Sequence, residues 1–272
     1  MTKTILITGA TDGIGLAAAT RLAALDHDLL LHGRNADKLE ATAATVRAVG
    51  GGGEVSTLFA DLSVLSEVER LAADVGAQRT ELDVLINNAG VFRTEVTTTS
   101  DGLDVRFAVN TISPYLLTHR LLSLFGPTGR VINLSSAAQA PVEPAALAGQ
   151  ATLADGAAYA QSKLALTMWS AQLAETLRES GPAIVAVNPG SLLATKMVKD
   201  AFGVDGNDIA IGADILVRAA LDDEFADASG KYYDNDAGRF ADPHPDALDP
   251  GKNLALTDRI IAIIDDLVPN PR

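Results

Sequence analysis

Thr4-Ile5-Leu6-Ile7-Thr8-Gly9-Ala10-Thr11-Asp12-Gly13-Ile14-Gly15 is the stretch on which the fold turns. A β-type apolar run breaks off into a turn with glycines spaced G-x-x-x-G-x-G, and a helical pattern begins at Ile14. The spacing differs from the commoner G-x-G-x-x-G, but each glycine has a use. Gly9 lets the chain leave the strand tightly, Gly13 lets backbone approach a diphosphate, and Gly15 lets the helix pack close. The N–H groups and dipole at the start of that helix favour an anion. Gly9, Thr11, Asp12, Gly13, Ile14 and Gly15 are therefore a candidate dinucleotide-phosphate turn.

Outward from this unit the pattern repeats. Short apolar runs at 4–8, 29–32, 55–60, 82–87, 131–135 and 183–188 read as strands, and helical patterns at 14–25, 36–49, 64–76, 101–124 and 157–179 lie between them. Apolar on both faces, these strands suit a parallel sheet covered by helices on both sides. The expected architecture is a doubly wound α/β Rossmann fold with a mostly parallel sheet of about seven strands, formed as one domain over 1–272. Glycines 50–53 fall between a helix and a strand and read as a flexible turn rather than a domain boundary. Segments 137–156 and 191–207 leave the carboxyl edge of the sheet, where ligands bind. The tail from Gly230 holds a candidate strand at 231–233, a Pro/Asp-rich loop and a final helix near 254–267.

The strand ends carry the binding candidates. Arg34 and Asn35 follow the second strand, where an acidic residue would accept the ribose hydroxyl of NAD and an arginine pairs with the 2′-phosphate of NADP. NADP(H) is thus favoured over NAD(H). Asp61 and Leu62, after the third strand, can meet the adenine, and Asn88, Ala89 and Gly90, after the fourth, can pass beneath the ribose.

Composition narrows the alternatives. With 35 acidic against 21 basic residues, the formal charge is −14 and nucleic acid is an improbable partner. No cysteine is present, which removes disulfides, thiolate nucleophiles and cysteine metal sites, and no metal site is expected. No apolar run has the length of a membrane span, and Met1-Thr2-Lys3 leads directly into a strand, so the expected location is cytoplasmic with no membrane partner.

Tyr159 and Lys163 stand four apart on a helical pattern and share a face. An ammonium beside a phenol favours phenolate, which brings the phenol nearer working pH for proton transfer. Ser135 and Ser136 end the fifth strand on the same sheet edge, where a hydroxyl can hold a substrate oxygen. The four histidines read as surface or packing residues. Asn110 is a polar residue in the apolar run 107–112 and a candidate relay to the lysine.

Taken in order, 8–15, 87–90, Asn110, Ser136, 159–163 and 188–190 resemble the successive motifs of the short-chain dehydrogenases/reductases over most of the chain. The resemblance implies hydride transfer between a nicotinamide and a small carbonyl or alcohol substrate. It implies Tyr159 as general acid/base, Ser136 as the substrate-orienting hydroxyl, Lys163 as ribose ligand and phenol tuner, and Asn110 as relay. It also implies that Pro189, Gly190 and Thr195 face the nicotinamide. The 22 residues between Ser136 and Tyr159 are similar to the branch of retinol dehydrogenases and related carbonyl reductases, while Thr195 stands one position later than in that branch. Leu192, Leu193 and Met197 are candidates for a lipophilic pocket, and so is Trp169, although it reads first as a core residue. Two rival readings are a catalytically silent dinucleotide sensor or scaffold and an NAD-retaining epimerase or dehydratase. A homo-oligomer is compatible with the sequence.

Overall fold

In the computed structural model, which describes residues 1–178, 181–195, 197, 199, 203 and 205–268, the first strand, β1 (Thr4–Ile7), lies inside an eight-stranded sheet. β2 (Asp28–Gly33) and β3 (Val55–Phe59) extend from it on one side. β4 (Leu82–Asn87), β5 (Phe125–Leu134), β6 (Ala183–Asn188) and β7 (Tyr232–Asp234) extend on the other. The order β3-β2-β1-β4-β5-β6-β7 is parallel throughout, and β8 (Arg239–Ala241) closes the edge antiparallel to β7. The strand order reverses between β1 and β4, and sheets of this kind bind ligands at the carboxyl ends beside the reversal.

The helices are α1 (Gly13–Ala24), α2 (Ala36–Val49), α3 (Leu65–Gln78), α4, α5 (Asp155–Thr176), α6 (Ile209–Leu221) and α7 (Pro250–Leu267). α4 runs from Val105–Phe107 through a π turn at Ala108–Ile112 into Ser113–Leu121. Side chains alternate across the sheet. Leu6, Leu30, Leu85, Val131 and Ile184 pack in one core with α3, α4, α5 and α7, while Ile5, Leu29, Val84, Ile132 and Val185 pack in the other with α1, α2 and α6. In α5 every residue from 162 to 170 is buried, because Leu256, Ile260 and Ile264 of α7 join the cluster on its outer side.

Some expectations move. The helix expected at 101–124 begins only at Val105, since the Asp104 carboxylate caps it by accepting from Arg106 N–H at 2.8 Å. α5 begins two residues before the expected 157, and the expected end at Glu179 lies outside the described residues. Neither β8 nor α6 was anticipated. Glycines 50–53 form the turn expected between α2 and β3; in it Gly52 N–H bonds the Asp26 carboxylate at 2.9 Å, and a Cβ on Gly53 would stand 2.2 Å from the His27 carbonyl oxygen. Segment 137–156 carries a one-turn helix, Pro144–Leu147, that buries Ala146 and Leu147 in the core. Among the described residues no helix is long and apolar enough to cross a membrane.

Candidate active site

A cleft of about 580 Å³ runs along the carboxyl ends of the strands. Of the residues proposed from sequence, Gly9, Thr11, Asp12, Gly13, Ile14, Arg34, Asn35, Asp61, Leu62, Asn88, Ala89, Gly90, Tyr159, Lys163, Pro189 and Thr195 line it. Gly15, Asn110, Ser136 and Gly190 are not among its lining residues, whereas Ser135 is.

The glycine turn is shaped by missing side chains. Gly9 and Gly13 adopt φ of +64° and +55°, and a Cβ on Gly9 would lie 2.9 Å from the Ala89 Cα. On Gly15 it would lie 2.4 Å from Asn88 Nδ2 and 2.5 Å from the Gly9 carbonyl oxygen. Asn88 stitches β4 to this turn, donating from Nδ2 to the Thr8 and Gly9 carbonyls at 2.9 and 3.0 Å. The Thr8 hydroxyl in return accepts the N–H groups of Asn88 and Ala89. Backbone brought this close to an open cleft fits a dinucleotide diphosphate.

His32 is neither surface nor plain packing. Its Nδ1 accepts the Gly9 N–H at 3.3 Å and its Nε2 donates to the Ala60 carbonyl at 3.0 Å, so the ring ties the ends of β1, β2 and β3 together. Burial pushes its pKa down to about 4, which keeps it neutral in this role. Asp12 caps α1 through Gly13 N–H at 2.8 Å and pairs with Lys38 Nζ at 2.7 Å. Lys38, not foreseen from sequence, also lines the cleft and offsets the carboxylate beside Arg34. The signal was present: Asn35 caps α2 by accepting Lys38 N–H at 2.8 Å, which places the lysine in the first turn beside the arginine. Asp61 caps its own turn through Ser63 N–H, and the Leu62 carbonyl accepts the Ser113 hydroxyl.

At the other end, α5 presents Tyr159 and Lys163. Lys163 Nζ donates to the Leu134 carbonyl at 2.6 Å and stands 5.8 Å from the centre of the Tyr159 ring. Burial pushes its pKa down to about 8. The phenol is not lowered as the sequence suggested. Burial raises the Tyr159 pKa, and a hydrogen bond with Ser136 pulls it back only in part. The two serines separate clearly: Ser135 is buried and engaged with the Thr167 hydroxyl at 2.7 Å, which leaves Ser136 beside the phenol.

Asn110 sits in the π turn of α4, a local geometry that recurs at functional sites. Its Oδ1 accepts Val91 N–H at 2.8 Å, and its Nδ2 donates to the Val91 carbonyl and the Ser162 hydroxyl. A Cβ on Gly90 would stand 3.4 Å from Asn110 Oδ1 and 3.5 Å from Lys163 Nζ, so both groups lie close to Gly90.

The substrate end departs most from expectation. Segment 137–156 contributes no lining residue; Val91, Phe92, Arg93 and Thr94 do, with the Phe92 ring edge-on to Tyr159 at 4.9 Å. Met197 lines the cleft as expected. Leu193 is instead buried, Leu192 is 47% exposed, and Trp169 lies fully buried against Tyr115 in the core.

The short chain dehydrogenase family model matches residues 3–203. Human retinol dehydrogenase 13 is 32% identical over 260 residues, covering 85% of this chain and 76% of that protein. A crystal structure of an uncharacterised protein from Mycobacterium paratuberculosis superposes with a TM-score of 0.79 at 27% identity, covering 96% of this chain and 92% of that one. A short chain dehydrogenase from Burkholderia cenocepacia J2315 in complex with NADP gives 0.69 at 26% identity, with 86% and 95% covered. Fold, site and sequence agree, and the chain belongs to the short-chain dehydrogenase/reductase family of oxidoreductases.

Proposed function

We propose that this oxidoreductase takes NADP(H) in preference to NAD(H) and interconverts a carbonyl and an alcohol on a small, lipophilic substrate, with Tyr159 as general acid/base. The observation that carries the reading is the placement of Tyr159 and Lys163 in one cleft, with Ser136 beside the phenol, together with a diphosphate cradle flanked by Arg34 and Lys38. The NADP complex of the Burkholderia relative and the name of the human retinol dehydrogenase support it by likeness.

Gly9 to Gly15 and Asn88 to Gly90 would hold the diphosphate and ribose, Arg34 and Lys38 the 2′-phosphate, and Pro189 and Thr195 the nicotinamide, which when bound supplies or accepts the hydride. The rest falls to the chain. Ser136 and Tyr159 direct two hydroxyls at the substrate oxygen. Because burial raises its pKa above the ordinary phenol value, Tyr159 is protonated throughout the neutral range and enters reduction as the acid. The proton goes to the oxygen as the carbonyl carbon gains hydride, and the phenolate left behind is stabilised by the Lys163 ammonium, charged below about pH 8. Phe92 packs edge-on against the Tyr159 ring.

The test is oxidation of NADPH and NADH against a panel of ketones, aldehydes and quinones. Expected are a preference for NADPH of roughly 10- to 100-fold, abolished in Arg34→Asp, and a loss in kcat of about 10²- to 10⁴-fold in Tyr159→Phe. Reductive turnover should also fall as pH rises through about 8, where Lys163 loses its proton. Preference for NADH, or near-normal turnover by Tyr159→Phe, would refute the reading.

A further inference from the structure

β7 and the turn after it lie behind both walls of the cleft. The Tyr232 hydroxyl donates to the carbonyl of Ser136 at 3.2 Å, and Gln139 Nε2 donates to the same oxygen at 3.0 Å. Gln139 is itself held from the tail, its Oε1 accepting His244 N–H at 3.0 Å. The last sheet hydrogen bond before this point is Ser135 N–H to the Val187 carbonyl, so Ser136 is the residue at which β5 leaves the ladder. From there its carbonyl is held by Tyr232 and by Gln139, which the tail holds in turn, and its hydroxyl lies beside Tyr159. Four residues after Tyr232, Asp236 accepts Ser191 N–H at 2.8 Å and the Ser191 hydroxyl at 2.6 Å. Asp234 and Asp236 divide the Asn188 amide N–H groups between them, each at 2.9 Å. Five consecutive residues thus reach the exit loops of both β5 and β6.

We propose that 232–236 is a brace for the reaction, in which Tyr232 is a positioning residue that sets Ser136 against Tyr159 and Asp236 is a positioning residue that fixes the β6 exit loop. This rests on the assignment of Ser136 and Tyr159 above. The Ser136 hydroxyl accepts Ala138 N–H at 3.1 Å, but an irregular loop has no helix or ladder to fix it, so where that hydroxyl stands also depends on what holds the Ser136 peptide. Tyr232 is suited to hold it permanently: burial and the neighbouring carboxylates Asp234 and Asp236 drive its pKa upward, so the hydroxyl stays a donor across any working pH.

Tyr232→Phe keeps the buried ring and removes only the donor. Hydrogen exchange of segment 134–140 in the free protein should quicken roughly 2- to 10-fold, the loss expected for one hydrogen bond, with segment 8–16 unchanged. In turnover, kcat should fall by a similar factor at unchanged NADPH affinity, and adding Tyr232→Phe to Ser136→Ala should cost nothing more. Asp236→Asn should quicken exchange in 188–193 and raise KM more than it lowers kcat. Unaltered exchange in 134–140, or an equal loss of turnover with and without the Ser136 hydroxyl, overturns the brace. If Ser136→Ala and Tyr159→Phe both keep wild-type turnover, the proton-transfer assignment has failed instead, and the exchange measurement still decides whether Tyr232 holds the loop.

Discussion

The two ends of the cleft are built by different means. At the phosphate end, shape comes from side chains that are absent: Gly9 lets the Ala89 backbone, Gly15 the Asn88 amide and the Gly9 carbonyl, and Gly33 the Thr11 side chain approach to distances a Cβ would forbid. At the substrate end, shape comes from polar side chains that are present, Tyr232, Gln139, Asp234 and Asp236, holding loops that no ladder holds. The first kind of construction is all-or-nothing, since a methyl group has nowhere to go. The second is graded, because one hydrogen bond can be lost while its neighbours remain.

The largest effect should come from Gly15→Ala. Inside a helix this substitution ordinarily stabilises by up to about 1 kcal/mol, and at Gly76, where a Cβ meets nothing within 4 Å, it should do so. At Gly15 the sign reverses. The new methyl meets Asn88 Nδ2 at 2.4 Å and the Gly9 carbonyl at 2.5 Å, so the turn must open, at a cost of roughly 3 kcal/mol and most of the NADPH affinity. Thermal melts and cofactor titration of both variants make the comparison; a stabilised Gly15→Ala would mean the cradle is not close-packed.

His32 offers the next effect, again at the phosphate end. Its pKa is about 4 folded against 6.5 for the free ring, so the unfolded chain binds the extra proton first as pH falls. Stability is whole above pH 6.5 and declines toward pH 4, by up to roughly 3 kcal/mol from this group. In His32→Asn, which can still accept the Gly9 N–H, urea unfolding at pH 7 and pH 4.5 should show a smaller loss between the two pH values than wild type. Equal losses would remove His32 from the turn.

How legible each end was follows from the same contrast. The phosphate turn, the strand succession and the 159–163 pair were readable because they depend on residues adjacent in sequence and on backbone geometry that glycine announces. The Asp236–Ser191 bonds join residues 45 apart, and Tyr232 reaches back 96 residues to Ser136; neither spacing carries a periodicity. α6 was missed although Asp208 caps it through Ala210 N–H, because its apolar run is interrupted by Gly212, which packs against Leu193 and Ile14. β8 is three residues between turns, too short to show alternation. His32 was passed over because a histidine at the end of an apolar strand resembles packing until Gly9 and Ala60 are seen on its two nitrogens. In α5, by contrast, the run 164–169 is apolar but for Thr167, a sign that something must cover its outer side, and α7 does.

The smallest effect belongs to the substrate end and tests whether that end is held firmly enough to carry strain. Leu192 adopts φ of +50°, a left-handed conformation unfavourable for a branched side chain, and is 47% exposed. It is kept there because its carbonyl accepts Asn207 N–H at 2.6 Å and Asn207 in turn accepts Ala194 N–H at 2.7 Å, which closes the base of the loop. Leu192→Gly removes the left-handed penalty of about 1–2 kcal/mol but gives the unfolded chain more freedom, so the net gain should be about 0.5–1 kcal/mol, or a few degrees in Tm at most. Leu192→Ala keeps the strain and loses only the exposed side chain, and should be near neutral. If glycine destabilises while alanine does not, the loop is held by hydrogen bonds without appreciable strain. If both destabilise, the leucine side chain itself packs in the loop, and the substrate end is less graded than its polar contacts imply.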